Sequence, residues 1–254
     1  MSGRRDREVR REERLREEVT GATERRQQLI KLGSAAAFLA VVVVAVLIVV
    51  SSGGGGGDAS NIEGKAEVSQ LLDGIPQSGL VLGDPKAKVT LLEFGDLQCP
   101  VCKGFSEEVL PQVIESQVRG GEAKLSFNNY TIISAESIAA GAAAIAAGAQ
   151  GRGWNFVELF YRNQGEERSG YVTDEFLTAV ARSAGVPNIS KWNKDRKSKR
   201  IAAAVEATTA KAERLGFTGT PSFAVEGPGT AGIETLGTPG SADELESAIS
   251  NAGQ

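Results

Sequence analysis

No histidine occurs anywhere in the 254 residues. That removes the commonest general base and the commonest metal ligand together. Serine–histidine and cysteine–histidine catalysis are excluded within the chain, and a four-ligand zinc site would need carboxylates or a second chain. Cysteine is almost as scarce, with two residues, so no disulfide framework is available. Basic charge is scarce where a nucleic-acid surface would need it. Residues 1–33 hold ten Lys/Arg and seven Asp/Glu, a balance of +3; the whole chain carries −4, which leaves −7 on the remainder. An acidic remainder gives no support for nucleic-acid binding.

Apolar residues make up 41% of the chain, enough for a real core. They are distributed unevenly. Residues 1–31 are dominated by Arg and Glu, with spacings such as Arg10/Arg14 and Glu13/Glu17. This suits a solvated helix or a polar tail. Residues 32–50 follow as a 19-residue stretch ending AAAFLAVVVVAVLIVV, without a charge. As a helix it would span about 28 Å at 1.5 Å per residue, close to the roughly 30 Å hydrocarbon core of a bilayer. Arg25, Arg26 and Lys31 precede it, which places the N-terminus in the cytoplasm and the rest outside. The apolar run exceeds that of a cleaved signal peptide, and its exit, Val49-Val50-Ser51-Ser52, lacks an A-x-A-like site. The expectation is an uncleaved transmembrane signal anchor, with a cytoplasmic charged tail before it. Residues 51–78, with five glycines at 53–57, read as a flexible linker, weakly helical from residue 62.

The folded domain is expected over 79–254. Val89 to Phe94 is a near-continuous apolar run, the mark of a buried central strand. From Lys103 the period changes: Phe105, Val109, Leu110, Val113, Ile114 and Val118 fall at helical spacing. Residues 123–133 return to strand character. Residues 135–216 read as an inserted helical region, with Trp154, Phe156, Phe160 and Tyr161 taken as core rather than as a substrate groove. A strand at 222–225, a partner at 232–236 and a closing helix capped by Ser241 complete the chain. The fold class is α/β, in the order β-α-β, helical insertion, β-β-α, preceded by one transmembrane helix.

The only two cysteines fall at the strand–helix junction, in Cys99-Pro100-Val101-Cys102. A thiolate is the nucleophile of disulfide exchange, and the free N–H groups and positive dipole end of a helix N-terminus favour it. Pro100 fits the first helical turn, where its missing N–H costs little. As a structural staple the bridge would close a four-residue loop, worth only about 2 kcal/mol. As half of a metal site it lacks a second ligand pair. As spectator thiols the pair would not be expected to bracket proline at such a junction. The pair therefore reads as redox-active. Thr220-Pro221 is the second signal, a proline just before a strand; read alone, it is a trans loop proline.

Glu93-Phe94 with Cys99-Pro100-Val101-Cys102, a helical insertion, and then Gly219-Thr220-Pro221-Ser222-Phe223 resemble the DsbA-like branch of the thioredoxin superfamily over roughly residues 80–252. More narrowly, the chain resembles membrane-anchored thiol–disulfide oxidoreductases of the bacterial envelope. The resemblance implies that Cys99 is the exposed attacking thiolate and Cys102 the buried resolving thiol. It implies a cis Pro221 facing them, and a Thr220 backbone that pairs with an extended substrate chain beside Pro100 and Val101. Glu93 would help to move the proton of the buried thiol; its competing reading is a surface Glu at a strand end. Val101 stands where strong oxidants of the family have histidine, which implies a less acidic Cys99 and a less oxidising disulfide. No cofactor beyond the Cys99–Cys102 disulfide is implied. The implied partners are secreted or envelope protein thiols and a membrane quinone-linked reoxidase. The implied activity is disulfide formation, with a reductase or isomerase, or a non-catalytic client-binding module, as rivals.

Overall fold

The computed structural model describes residues 61–254. The expected charged tail (1–31), the transmembrane segment (32–50) and the glycine run lie outside the described residues. Among the described residues no helix is long and apolar enough to cross a membrane.

The chain forms α1 (Lys65–Leu72), β1 (Gln77–Ser78), β2 (Val81–Leu82), β3 (Val89–Gly95), α2 (Pro100–Glu108), α3 (Leu110–Val113) and a π-helical turn at Ile114–Val118, then β4 (Ala123–Asn129). Five helices follow: α4 (Ala135–Gly148), α5 (Gly153–Arg162), α6 (Asp174–Ser183), α7 (Ile189–Asp195) and α8 (Lys199–Arg214). The chain ends with β5 (Ser222–Glu226), β6 (Glu234–Gly237) and α9 (Ala242–Ala252). The strands make one sheet in the order β1-β2-β4-β3-β5-β6.

The central strand is β3, parallel to β4 and antiparallel to β5. With both faces covered it has no solvent side, which is why its sequence does not alternate cleanly. Successive side chains still point to opposite faces. Leu92 and Phe94 pack with Tyr130, Ala212, Phe217 and Ala224. Glu93 points the other way. Its register neighbours are Phe127 on β4 and Phe223 on β5. Phe223 packs on Phe105 of α2 at 4.7 Å between ring centroids, and Phe127 meets Trp154 and Tyr161 of α5 edge-on at 6.3 Å each. The footprints of α2 and α5 thus meet over Glu93.

Small residues let the insertion lie close to the sheet. A Cβ on Gly148 or Gly153 would fall 2.6 or 2.4 Å from the carbonyl oxygen of Gly79. The helix α4 starts with a capping box formed by Ser134 and Ser137. Trp154, Phe156, Phe160 and Tyr161 are all fully buried, with the Trp154 indole donating to the Leu80 carbonyl at 3.0 Å. These four are core.

Two expectations need correction. The linker was expected to reach residue 78, but α1 buries Val68 and Leu72, and β1 pairs with β2. Ordered structure therefore begins before residue 79, because two apolar side chains four apart give this short helix an inner face. The helix α7 was not expected either. It is seven residues long, and its one buried residue, Trp192, is fully buried and donates to the Ala143 carbonyl at 2.9 Å.

Candidate active site

Cys99 is the N-cap of α2 and Pro100 its first residue. The Cys99 sulfur accepts from the Cys102 N–H at 3.3 Å, taking up one of the free amides of the helix start. As a thiol it donates to the Thr220 carbonyl at 3.4 Å. Both cysteines are free thiols. Cys102, one turn along, is fully buried. Cys99 was expected to be exposed; only 6% of its surface is accessible. The cause is the loop carrying Thr220 and Pro221, whose peptide bond is cis, lying against its sulfur. Pro221 is thus a cis proline opposite the thiols, not the trans loop proline that the sequence alone suggests. Val101 is half-buried on the first turn, and Pro100 is exposed beside it.

The two thiols are driven apart. Hydrogen bonding from the Cys102 thiol first, then from Thr220 and the amides of Cys102 and Val101, outweighs burial and holds Cys99 down to about 7. Burial, and then the neighbouring Cys99, push Cys102 well above the ordinary thiol range. One sulfur is built to be a thiolate near neutral pH and the other to hold its proton.

Glu93 is fully buried, which excludes the surface reading, and neither of its carboxyl oxygens has a partner among the described residues. Burial raises its pKa well above the carboxylate range, helped by the charges of Glu158 and Cys99. Burial thus favours its protonated form, which can give up a proton but is costly to leave ionised.

Other groups around the cysteines were not singled out from sequence. Asp96 is buried in the turn before Cys99; its Oδ1 accepts from the Gln98 N–H at 2.9 Å and its Oδ2 from the amides of Ile132 and Ile133 at 2.9 and 3.0 Å. The Asp96 carbonyl accepts from the Cys99 N–H at 2.9 Å and from the Tyr161 hydroxyl at 3.3 Å. The Gln164 side-chain amide donates to the carbonyls of Leu97 and Cys99 at 2.7 and 3.1 Å. Opposite, the Tyr130 hydroxyl donates to the Phe217 carbonyl at 2.9 Å, and the Thr238 hydroxyl to the Pro221 carbonyl at 2.6 Å. Both sides of the thiol pair are thus fixed from outside the motif. Glu158, on α5, is a third fully buried carboxylate, after Glu93 and Asp96. Its signal was available: an acidic residue between Val157 and Leu159 in an aromatic run, the same pattern that marks Glu93.

Comparisons with known proteins agree with this geometry. The thioredoxin family model matches residues 76–250. The probable disulfide bond formation protein D of Bacillus cereus is 31% identical over 150 residues, covering 58% of this chain and 69% of that protein. Its counterpart in Bacillus anthracis is 32% identical over the same shares. The crystal structure of oxidised BdbD from Bacillus subtilis shares the fold, with a TM-score of 0.61 at 24% identity over 70% of this chain and 97% of that one. The chain belongs to the thioredoxin family, as a DsbA-like thiol–disulfide oxidoreductase.

Proposed function

We propose that the protein is a membrane-anchored oxidase that donates the Cys99–Cys102 disulfide to secreted or envelope proteins outside the cytoplasm. One observation carries the reading: a helix-capping sulfur with a lowered pKa, backed by a fully buried thiol and facing the backbone of Thr220. The Bacillus relatives, probable disulfide bond formation proteins, support the direction.

The exchange balances without a cofactor. A client thiolate attacks Cys99 Sγ of the enzyme disulfide. The S–S bond breaks, and its electron pair leaves on Cys102 Sγ, which takes a proton from Glu93. A second client thiolate then attacks the client sulfur of the mixed disulfide and expels Cys99 as a thiolate. The client loses two electrons and two thiol protons, and the enzyme gains the two electrons. Thr220, Pro221, Pro100 and Val101 form the surface against which the client chain lies, the Thr220 backbone pairing with it. A membrane quinone-linked partner would restore the disulfide.

The test is a trap. In Cys102→Ser the Cys99 thiolate should attack a client that already carries a disulfide, displace one client sulfur as a thiolate and stay joined to the other for want of Cys102 to release it. Cys99→Ser should trap none and lose all transfer to a reduced dithiol protein. Transfer that survives in Cys99→Ser would refute the exchange reading in favour of a client-binding module. For the topology, protease added to intact cells should digest the C-terminal domain; full protection would overturn the extracytoplasmic placement. A reductase is the second reading, favoured by one observation. A Cys99 pKa of about 7 matches the value of about 7 for thioredoxin rather than about 3.5 for a strong oxidant.

A further inference from the structure

The helix α2 carries Cys102 and Ser106 one turn apart, hence on one face. Both are fully buried. The helix α5 packs against α2 and brings Glu158 to the same place. The Ser106 hydroxyl donates to Glu158 Oε1 at 3.0 Å. Glu158 Oε2 has no hydrogen-bond partner among the described residues; its nearest cation is Arg162, with Nη2 at 3.9 Å and 21% of the side chain exposed. Glu93 lies on the sheet where α2 and α5 meet, flanked by Phe127 under α5 and Phe223 under α2. Both of its oxygens are open as well. Two buried carboxyls with three unpaired oxygens are poor as a stabilising device, because each such group costs free energy. They suit a route along which a proton must travel.

We infer that Glu158 is the second carboxyl of a proton path, joining Glu93 beneath Cys102 to solvent at the edge formed by Arg162 and Glu107. The inference rests on the exchange chemistry proposed above. When client attack leaves the electron pair on Cys102, Glu93 gives its proton to that sulfur. Glu158 reprotonates Glu93, and solvent reprotonates Glu158. In the reverse direction each proton moves back. No electron passes through either carboxyl. Burial lifts Glu158 to about 7, with Ser106 and Arg162 holding it down and Glu107 pushing it up. It is therefore half-protonated near neutral pH, the condition for passing protons both ways. Glu107, half-buried on α2, faces Lys103 and Arg162 and is itself raised by burial. Ser106 is a positioning residue: it aims Oε1 and leaves Oε2 free.

The experiment follows one turnover of the oxidised full chain with a reduced dithiol peptide between pH 5 and 9. Glu158→Gln keeps size and can still accept from Ser106, but carries no exchangeable acid. It should slow Cys102 release about tenfold near neutral pH, below the roughly 10²–10⁴-fold of a group touching the reacting atoms. It should also flatten the pH profile around 7. Ser106→Ala keeps the carboxyl and removes the bond that lowers its pKa, so the inflection should move to higher pH. Should Glu158→Gln fail to fold, Ser106→Ala decides. An unchanged inflection in Ser106→Ala overturns the inference, as does a wild-type rate and profile in Glu158→Gln. So does an equal slowing at every pH with the inflection kept, which would mark Glu158 as structural. A wild-type chain that transfers no disulfide at all would instead refute the exchange reading itself.

Discussion

Cys99 and Cys102 share one helical turn yet are pushed in opposite directions, because one caps the helix and the other lies under it. Iodoacetamide should therefore modify Cys99 in the reduced chain with a rate that climbs through about pH 7, while Cys102 stays inert; an inflection near 9 would contradict the account of the helix start. Glu158 gives a second residue-scale expectation. Its folded pKa of about 7 lies above its ordinary 4.5, so the fold stabilises the protonated form. That contribution is whole below about pH 4.5 and is lost as pH rises to about 7. Between pH 5 and 8 the wild type should lose roughly 2.5 kcal/mol more stability than Glu158→Gln, at 1.36 kcal/mol per pKa unit. Parallel urea-denaturation curves across that range would contradict it. Sequence exposed Glu93 because a strand expected to be buried on both faces leaves an acid nowhere to go. Glu158 carries a similar mark, but on a helix one acid in an aromatic run looks like an outward face until the packing partner is known. Asp96 and Gln164 were hidden for another reason: they act through backbone groups, and a backbone partner leaves no mark on residue type.

At the scale of elements, the site is a helix start held against a loop. The loop at 217–221 is kept in place by the Tyr130 and Thr238 hydroxyls and by Phe217 against Phe94, at 5.1 Å between centroids. Tyr130→Phe leaves the Phe217 carbonyl unpaired and should cost about 1–3 kcal/mol. It should also slow client transfer, since the Thr220 backbone is then less fixed; unaltered stability and transfer would show that the loop is held by other means. Trp192→Ala should cost about 3–5 kcal/mol by denaturant titration, because it empties a fully buried site between α4 and α5. A loss under 1 kcal/mol would mean that α7 is dispensable. The long elements were legible because their apolar residues repeat over several turns. The helices α1 and α7 were not, because eight and seven residues give too few repeats to set a period. The break between α2 and α3 has a visible cause in Pro111, which cannot donate to the preceding turn.

For the molecule as a whole, the order strand–helix–strand, helical insertion, strand–strand–helix could be read along the chain, and with it the place of the cysteines. The sheet order could not. It depends on which strands pair across more than a hundred residues, as β3 does with β5, and on the approach of Gly148 and Gly153 to Gly79. The Thr220-Pro221 loop reaches Cys99 only because β5 lies next to β3, so the site is a product of the sheet as much as of its motif. The proposed anchor would hold this site at the membrane face where secreted chains emerge. Direction of transfer is then a property of the whole couple, and the reduction potential of Cys99–Cys102 in the full chain, equilibrated in glutathione buffers, tests it most directly. The account predicts a value more positive than about −200 mV, well above the roughly −300 mV below which structural disulfides of secreted proteins lie. A value at or below about −230 mV, toward the roughly −270 mV of thioredoxin, would contradict it and make the protein a reductase.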